Sequence, residues 1–190
     1  PTPIQDQAIP FILAGADIIG IANTGTGKTA AFLIPLIDKI VNDRSQKVLI
    51  IAPTRELALQ IHDELRDFAN GLGIRSALCI GGTNMKRQRR ELFQNPHFVI
   101  GTPGRIRDLI GQGCLNLSQF GIVVLDEADR MVDIGFIDDI KYFISLLPKN
   151  RQSLFFSATI SGKVKEIIQT FVVDPVTISV KVNDTVENIK

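Results

Sequence analysis

Seven short apolar runs alternate with longer helical stretches along the chain, and this alternation limits the possible folds more than any other feature. In most runs the apolar residues follow one another directly, which is typical of strands that are buried on both faces. Strands that alternate with helices favour a mostly parallel sheet with helices on both faces. The predicted strands are 17–22, 48–52, 76–80, 98–101, 122–125, 153–156 and 176–180. The sequence therefore predicts an α/β fold with about seven strands.

Apolar residues between the strands recur at helical spacing. In the segment 55–72, for example, Leu57, Ile61, Leu65 and Phe68 fall on one side of a helix. Such a stripe faces the core in a surface helix. We therefore expect a helix over this segment, with these four side chains buried.

The composition fits one globular domain and excludes several classes of protein. A chain of 190 residues lies within the usual range of a single domain. Its 45% hydrophobic and 22% charged residues argue against intrinsic disorder. The net charge of +1 excludes a uniformly basic nucleic-acid coat and leaves room for a local basic groove. No apolar run approaches the roughly 18 residues of a membrane helix, so we expect no membrane association.

The cysteines and histidines carry little functional signal. Cys79 and Cys114 are too few for a secreted disulfide scaffold, so we expect free thiols in a reducing compartment. His62 and His97 lack the neighbours of a zinc site, and we interpret them as a surface and a structural residue. No signal peptide opens the chain. These features predict a cytoplasmic location and leave a nuclear one open.

One segment has the spacing of a phosphate-binding loop, with Ala22 in place of the first glycine. It follows a predicted strand and opens a predicted helix, which a mere glycine-rich turn need not do. Gly25 and Gly27 let the backbone curl so that its amides face an anion. Lys28 can reach the phosphates, and the Thr29 hydroxyl can ligate Mg²⁺. The predicted nucleotide-binding residues of this segment are Ala22, Asn23, Thr24, Gly25, Thr26, Gly27, Lys28 and Thr29.

Another predicted strand, 122–125, runs directly into Asp126 and Glu127. It delivers them to the carboxyl edge of the sheet, where open α/β sheets bind ligands. Asp126 can hold Mg²⁺ together with Thr29, and Glu127 can orient and deprotonate the attacking water. An acidic cluster alone is more often a solvated face or a helix N-terminal charge. The phosphate loop upstream favours catalysis, so Lys28, Asp126 and Glu127 are the candidate catalytic residues.

Seven segments of the chain resemble, in the same order, the motifs of the DEAD-box RNA helicases. The four residues that begin at Asp126 read Asp-Glu-Ala-Asp, the sequence for which that family is named. The segments that carry the resemblance are 1–5, 22–29, 53–57, 81–82, 102–105, 126–129 and 157–159. One such segment alone is weak evidence for the family, but seven in the same order are specific to it. The resemblance implies a RecA-like P-loop NTPase fold and the N-terminal lobe of an ATP-dependent RNA helicase.

The resemblance also implies roles for residues outside the phosphate loop. Gln5 is expected to hydrogen-bond the adenine edge, which suits an amide that donates and accepts at once. A second set is expected to bind single-stranded or short duplex RNA through phosphate and sugar, without reading sequence. These residues are Pro53, Thr54, Arg55, Gly82, Thr102, Pro103, Gly104 and Arg105. Ser157 and Thr159 are expected to couple the nucleotide state to the RNA grip, and Asp129 to meet a second lobe.

The family has a second RecA-like lobe with an arginine finger, and nothing in this chain resembles it. The chain opens at Pro1 without the aromatic residue that the family places upstream of its adenine-binding glutamine. We expect a piece of a longer protein, with 1–182 as the N-terminal lobe and 183–190 as the start of a linker. Arginine fingers contribute about 10³ to 10⁵ in rate. The isolated lobe, expected to be a monomer, should therefore bind Mg-ATP modestly and hydrolyse it slowly. Joined to the second lobe, it should unwind short duplexes or remodel RNA–protein complexes.

Three alternatives stay open at this point. The basic run 86–90 can add phosphate contacts, but such a run is more often a solvated helix face. The chain can belong to another P-loop ATPase, for example one that remodels DNA. It can also be a nucleotide-gated scaffold that mainly binds a protein partner.

Overall fold

The computed structural model describes residues 1–180, which contain one seven-stranded sheet. The strands are β1 (Ile18–Ala22), β2 (Val48–Ile51), β3 (Ser76–Cys79), β4 (Phe98–Gly101), β5 (Ile122–Leu125), β6 (Gln152–Ser157) and β7 (Val176–Val180). They lie in the order β3-β4-β2-β5-β6-β1-β7, and all paired neighbours are parallel. In this register Ile50 of β2 stands between Ile100 of β4 and Val124 of β5. The predicted parallel sheet of about seven strands is confirmed.

Helices cover both faces of this sheet. Those in the described part of the chain are α1 (Pro3–Leu13), α2 (Lys28–Asn42), α3 (Arg55–Phe68), α4 (Met85–Phe93), α5 (Pro103–Gly111), α6 (Ala128–Ile134), α7 (Ile137–Leu146) and α8 (Gly162–Phe171). A 3₁₀ turn, Leu117–Gln119, precedes β5. Ile4, Phe32 and Ile61 of α1 to α3 are buried against one face. Ile106 of α5 and Phe143 of α7 are buried against the other, so the predicted α/β layering is confirmed.

Several predicted bounds differ from the structure: β2 and β3 each end one residue earlier, and β6 extends one residue further at both ends. β1 begins at Ile18 rather than at Asp17, whose carboxylate accepts from the backbone N–H groups of Ser153 and Val173 at 2.9 and 2.8 Å. The helix predicted over 55–72 ends at Phe68, whose side chain is 43% exposed instead of buried. The buried stripe continues through Ala69, where the chain leaves the helix and turns.

The strand order divides the carboxyl edge of the sheet into two halves. The chain leaves β3, β4 and β2 on one half, and β5, β6 and β1 on the other. The strand order therefore decides which of the predicted site segments, each of which follows a strand, lie side by side at this edge. The predicted linker at 183–190 lies outside the described residues. Within residues 1–180, no helix combines the length and the apolarity that crossing a membrane requires.

Candidate active site and nucleic-acid interface

The phosphate loop connects the end of β1 to the first residue of α2. Gly25 and Gly27 have φ angles of +81° and +83°, a left-handed conformation that glycine adopts without strain. Thr26 Oγ1 donates to the carbonyl oxygen of Asn23 at 2.9 Å and closes the loop. The first amides of α2 have no partner within the helix, and they begin at Lys28. Such a loop at a helix N-terminus can hold a phosphate group.

Lys28 and Asp126 form a buried ion pair between this loop and the end of β5. Lys28 Nζ lies 3.2 Å from Asp126 Oδ1, and the two side chains are 7% and 0% exposed. Asp126 Oδ1 also accepts from the Glu127 N–H at 2.9 Å, whereas Oδ2 has no hydrogen-bond partner within residues 1–180. Burial raises the pKa of Asp126, and the Lys28 ammonium opposes that rise. The fold thus brings together two of the three candidate catalytic residues.

Glu127 is the third candidate catalytic residue and lies at the turn into α6. Its φ of +49° is left-handed, a strained conformation for a residue with a side chain. Its Oε2 lies 3.6 Å from Arg130 Nη1, one turn along α6. With Lys28 and Thr29 it lines a cavity of about 230 Å³. The backbone therefore holds this carboxylate beside the phosphate loop at a cost in strain.

The same cavity has a second wall that the sequence analysis missed. Leu57, Gln60 and Glu64 of α3 line it opposite the loop. Gln60 Nε2 donates to Glu64 Oε1 at 3.5 Å. No local pattern marks these residues, because they look like the polar side of an ordinary amphipathic helix. A wider groove of about 800 Å³ lies near the other end of α3, and none of the candidate catalytic residues line it.

Gln5 lies on α1 and reaches across to the phosphate loop. Its Oε1 accepts from the Thr2 N–H at 3.0 Å, and its Nε2 donates to the Gly27 carbonyl oxygen at 3.1 Å. A side-chain amide has two N–H donors and two acceptor lone pairs. One of each therefore remains for a nucleobase edge, which suits the role implied for Gln5.

The residues expected to bind RNA gather at the ends of β2, β3 and β4. A cavity of about 380 Å³ lies among them. It is lined by Pro53, Arg55, Gly81, Thr102, Gly104, Arg105 and Phe136. Phe136, which precedes α7, was not singled out in the sequence. Gly81 replaces the expected Gly82 in this lining.

Gly82 instead lies under the side chain of Arg55. A Cβ placed on Gly82 would stand 2.6 Å from Arg55 Nη1, and the glycine has a φ of +73°. Only glycine fits both the short distance to Arg55 and the positive φ without strain. The end of β3 and the start of α3 therefore approach each other at this point.

Two of the three helices that begin at this half of the edge, α3 and α5, start at predicted RNA-binding residues. Thr54 precedes α3, and its Oγ1 accepts from the Leu57 N–H at 3.2 Å. Thr102 and Pro103 begin α5, whose next residue, Gly104, has open space where a Cβ would be. Helix N-termini attract phosphate oxygens through their free amides. The predicted residues thus surround an opening that is suited to a phosphate backbone.

Arg105 is held by a residue inside the basic run. Its Nη1 donates to Gln88 Oε1 at 2.9 Å and lies 3.8 Å from Met85 Sδ. Gln88 is 3% exposed, although the sequence analysis placed it on a solvated face. The four cations of that run are exposed, and two of them bind neighbours: Arg87 pairs with Glu91 and Arg89 donates to Gln112.

The three residues predicted to couple the sites form one hydrogen-bonded cluster. Asp129 Oδ2 accepts from the Thr159 N–H at 3.1 Å and from Thr159 Oγ1 at 2.9 Å. Ser157 Oγ accepts from the Asp129 N–H at 3.2 Å and donates to the Thr159 carbonyl oxygen. The acidic segment after β5 is therefore joined to the end of β6.

The histidines differ from each other in their surroundings. His97 is buried and its Nδ1 accepts from the Arg75 N–H at 3.0 Å, as a structural residue does. His62, interpreted as a surface residue, is half-buried, and its Nε2 lies 3.0 Å from Ser76 Oγ. Burial lowers the pKa of His62.

Comparison with solved structures identifies the fold. The chain aligns with a DEAD box protein from the hyperthermophile Methanococcus jannaschii at 37% identity and a TM-score of 0.90, over 96% of this chain and 50% of that one. It aligns with a hypothetical ATP-dependent RNA helicase from Sulfolobus tokodaii at 37% identity and a TM-score of 0.87, over 94% of this chain and 52% of that one. The RecA-like architecture is confirmed.

Sequence comparison gives the family. The chain is 45% identical over its full length to the DEAD-box ATP-dependent RNA helicase CshA of Geobacillus kaustophilus (strain HTA426), and it spans 41% of that protein. It covers about half the length of the two solved proteins. The family model for the DEAD/DEAH box helicase matches residues 2–167. Because this match includes most of the chain, the protein belongs to the DEAD/DEAH box helicase family.

Proposed function

We propose that this domain binds Mg-ATP on one half of the carboxyl edge and single-stranded RNA on the other, as the N-terminal lobe of an ATP-dependent RNA helicase. One observation carries this proposal: the strand order separates the phosphate loop and acidic segment from the segments expected to bind RNA. The two sets meet along the centre of the sheet, where β2 lies beside β5. One rigid edge can therefore hold both ligands as neighbours.

On the nucleotide half, Gln5 binds the adenine edge with its remaining donor and acceptor. The loop amides and Lys28 bind the phosphates. Phosphate oxygens compete with Asp126 for the Lys28 ammonium, because both partners are anions. Glu127 accepts a proton from the attacking water and orients it.

The residues of this half also fit Mg²⁺. Asp126 Oδ2 is buried and unpaired within residues 1–180, and Mg²⁺ prefers such carboxylate oxygens. Thr29 supplies a hydroxyl at the first turn of α2. Asp126 and Thr29 would hold the ion, which neutralises charge on the phosphates when bound.

On the RNA half, Arg55 and Arg105 bind phosphates, and the start of α5 offers free amides. These groups recognise a backbone and carry no sequence information. Contacts to 2′-hydroxyl groups favour RNA over DNA. The similar proteins from Geobacillus and Sulfolobus are named as RNA helicases, which supports RNA as the ligand of this half.

The complete helicase needs a second lobe, in line with the greater length of the similar proteins. That lobe supplies the arginine finger and half of the RNA surface, and the Asp129–Ser157–Thr159 cluster relays the nucleotide state to it. The two lobes together unwind short duplexes or remodel RNA–protein complexes. The free thiols of Cys79 and Cys114 fit a reducing compartment such as the cytoplasm.

The experiment that tests this function measures binding and turnover separately on the 190-residue chain. We expect Mg-ATP and an oligouridylate to bind, with turnover that RNA does not stimulate, because about 10³ to 10⁵ in rate depends on an arginine finger. A chain that binds no nucleotide would contradict the proposal. Equal affinity for a DNA strand of the same sequence would favour the DNA-remodelling alternative. Clear RNA stimulation would show that no second lobe is needed.

A further inference from the structure

Gln88 is an uncharged residue inside a basic run, and it is the residue of α4 that is buried. Its side chain is enclosed by the turn after β3 and by the first turn of α5. The neighbouring cations, Lys86, Arg87, Arg89 and Arg90, all point to solvent. Burying an amide is costly unless its polar atoms are paired. The buried Gln88 amide therefore needs hydrogen-bond partners inside the fold.

Both ends of the Gln88 amide are paired. Its Nε2 donates to the Ile80 carbonyl oxygen at 2.8 Å and to Thr83 Oγ1, and the Thr83 hydroxyl donates to the same carbonyl at 3.0 Å. These two residues flank the turn Gly81–Gly82. The Oε1 accepts from Arg105 Nη1 at 2.9 Å. One buried side chain thus joins the turn after β3 to an arginine after β4.

We propose that Gln88 is a positioning residue that holds Arg105 and the Gly81–Gly82 turn as one unit for gripping an RNA phosphate backbone. This inference rests on the proposed RNA site. Gln88 itself is buried and does not touch RNA. It acts by fixing the direction of the Arg105 guanidinium and the position of the Gly81–Gly82 turn.

The chemistry requires an amide at this position. A carboxylate would hold Arg105 but could not donate to the Ile80 carbonyl, and an amine could not accept from Arg105. An apolar side chain would leave the carbonyl and the guanidinium without their partner. Because Arg55 packs over Gly82, the same turn also sets the position of the second arginine. Gln88 therefore determines the spacing of two cations that would otherwise be flexible, and ordering them before binding raises affinity.

The test uses Gln88→Met, which keeps the length of the side chain and removes the amide. Gln88→Asn serves as a second variant, because it keeps the amide but is too short to join both partners. RNA affinity is measured with a labelled oligouridylate at several salt concentrations, alone and in an Arg105→Gln background. Arg90→Gln, an exposed residue of the same helix, is the matched control.

We expect Gln88→Met and Gln88→Asn to weaken RNA binding about tenfold, as for a lost hydrogen bond to a charged group. The slope of log affinity against log salt should fall by about 0.7, the value for one phosphate contact. In the Arg105→Gln background, Gln88→Met should weaken RNA binding clearly less than in the wild type, because only its contacts with the Gly81–Gly82 turn remain to be lost. The Gln88 variants should not change the affinity for ATP, and Arg90→Gln should leave the affinity for RNA unchanged. A merely structural role would lower ATP and RNA binding together.

Wild-type RNA affinity in Gln88→Met, or an equal loss in both backgrounds, would overturn the inference while leaving the proposed function intact. If the wild-type chain binds no RNA, the proposed function fails. The link between the two residues is then decided by chemical labelling. Phenylglyoxal should modify Arg105 several times faster in Gln88→Met than in the wild type, and an unchanged rate would refute the link.

Discussion

The half of the sheet edge that follows β1, β5 and β6 keeps its key charges out of solvent, whereas the half that follows β2, β3 and β4 presents them at the surface. Lys28 and Asp126 are both buried and paired with each other. Arg55 is exposed, and Arg105 is half-buried against an uncharged amide. The difference matches what each half is proposed to hold. A small triphosphate can be enclosed, but a long RNA strand needs an open surface to lie across.

The two halves also differ in the interactions that hold their side chains in place. The nucleotide half is fixed by charge pairing and by left-handed glycines in the phosphate loop. The RNA half is fixed by hydrogen bonds of the uncharged Gln88 amide and by the close approach of Arg55 to Gly82. Removing a partner should therefore cost stability in the first half and affinity in the second.

The largest expected effect follows from breaking the buried ion pair with Lys28→Met. Asp126 is then left buried without a counter-charge, which costs about 3 to 5 kcal/mol in comparable pairs. We expect Tm to fall by roughly 10 °C in thermal unfolding at pH 7. Lys28→Met combined with Asp126→Asn should recover most of this loss, because no uncompensated charge remains.

The matched control is the exposed pair of Arg107 and Asp139. Arg107 Nη1 lies 2.6 Å from Asp139 Oδ1, but its side chain is 52% exposed. Exposed pairs contribute about 1 kcal/mol or less. Arg107→Met should thus change Tm by no more than about 4 °C. Equal effects from the two single variants would erase the contrast between buried and exposed charge.

The next effect in size comes from a pair of glycine substitutions. A Cβ on Gly27 would stand 2.7 Å from Gln5 Nε2, and one on Gly82 would stand 2.6 Å from Arg55 Nη1. Both glycines have a positive φ that disfavours alanine. Gly27→Ala should weaken ATP binding about tenfold and spare RNA, and Gly82→Ala should weaken RNA binding about fivefold and spare ATP.

Gly111→Ala, at the last residue of α5, is the control for both substitutions, because no atom of the described residues outside the backbone of its own helix lies within 4 Å of its Cβ position. Its φ angle is also outside the left-handed region. We expect neither affinity to change by more than about twofold. Loss of both ligands in either Gly27→Ala or Gly82→Ala would mean that the halves are not separable.

A smaller effect distinguishes the two groups of surface cations. Arg55→Gln should lower the salt slope of RNA binding by about 0.7, because one phosphate contact is lost. Replacing the four exposed cations of the run 86–90 with glutamine should leave affinity and slope unchanged, as expected for a solvated face. Titrations of RNA at several salt concentrations measure both. A reduced slope in the fourfold variant would extend the RNA surface onto α4.

The smallest effect concerns the stability of the domain at acid pH, to which His62 on α3 contributes. Burial lowers its pKa in the folded state, so the unfolded state binds the proton more readily. The stability from neutral His62 is present above about pH 6.5 and is lost as the pH falls below it. His62→Gln removes this contribution, so its Tm should decline less than that of the wild type between pH 7 and pH 5. Parallel profiles would show that His62 does not contribute.

The five inner strands could be predicted because they are almost wholly buried, and burial on both faces leaves a continuous signal in the sequence, whereas the edge strands β3 and β7 are only partly buried. The phosphate loop was visible because its glycines and lysine act over eight consecutive residues. Gln88 was missed because its burial depends on three segments that meet only in the folded chain. Gln60 and Glu64 were missed for the same reason, since the packing of α3 beside the loop gives them a role. Phe68 was misjudged because Ala69 continues the stripe where the helix ends.

Amide chemical shifts of the isotopically labelled chain test most directly whether the two ligands occupy separate halves of one edge. A non-hydrolysable Mg-ATP analogue should shift amides of 22–29 and 126–129. An oligouridylate should shift those of 54–55, 81–83, 102 and 104–105 and leave those of the phosphate loop unchanged. Shifts of the same amides by both ligands, or displacement of one ligand by the other, would contradict the account.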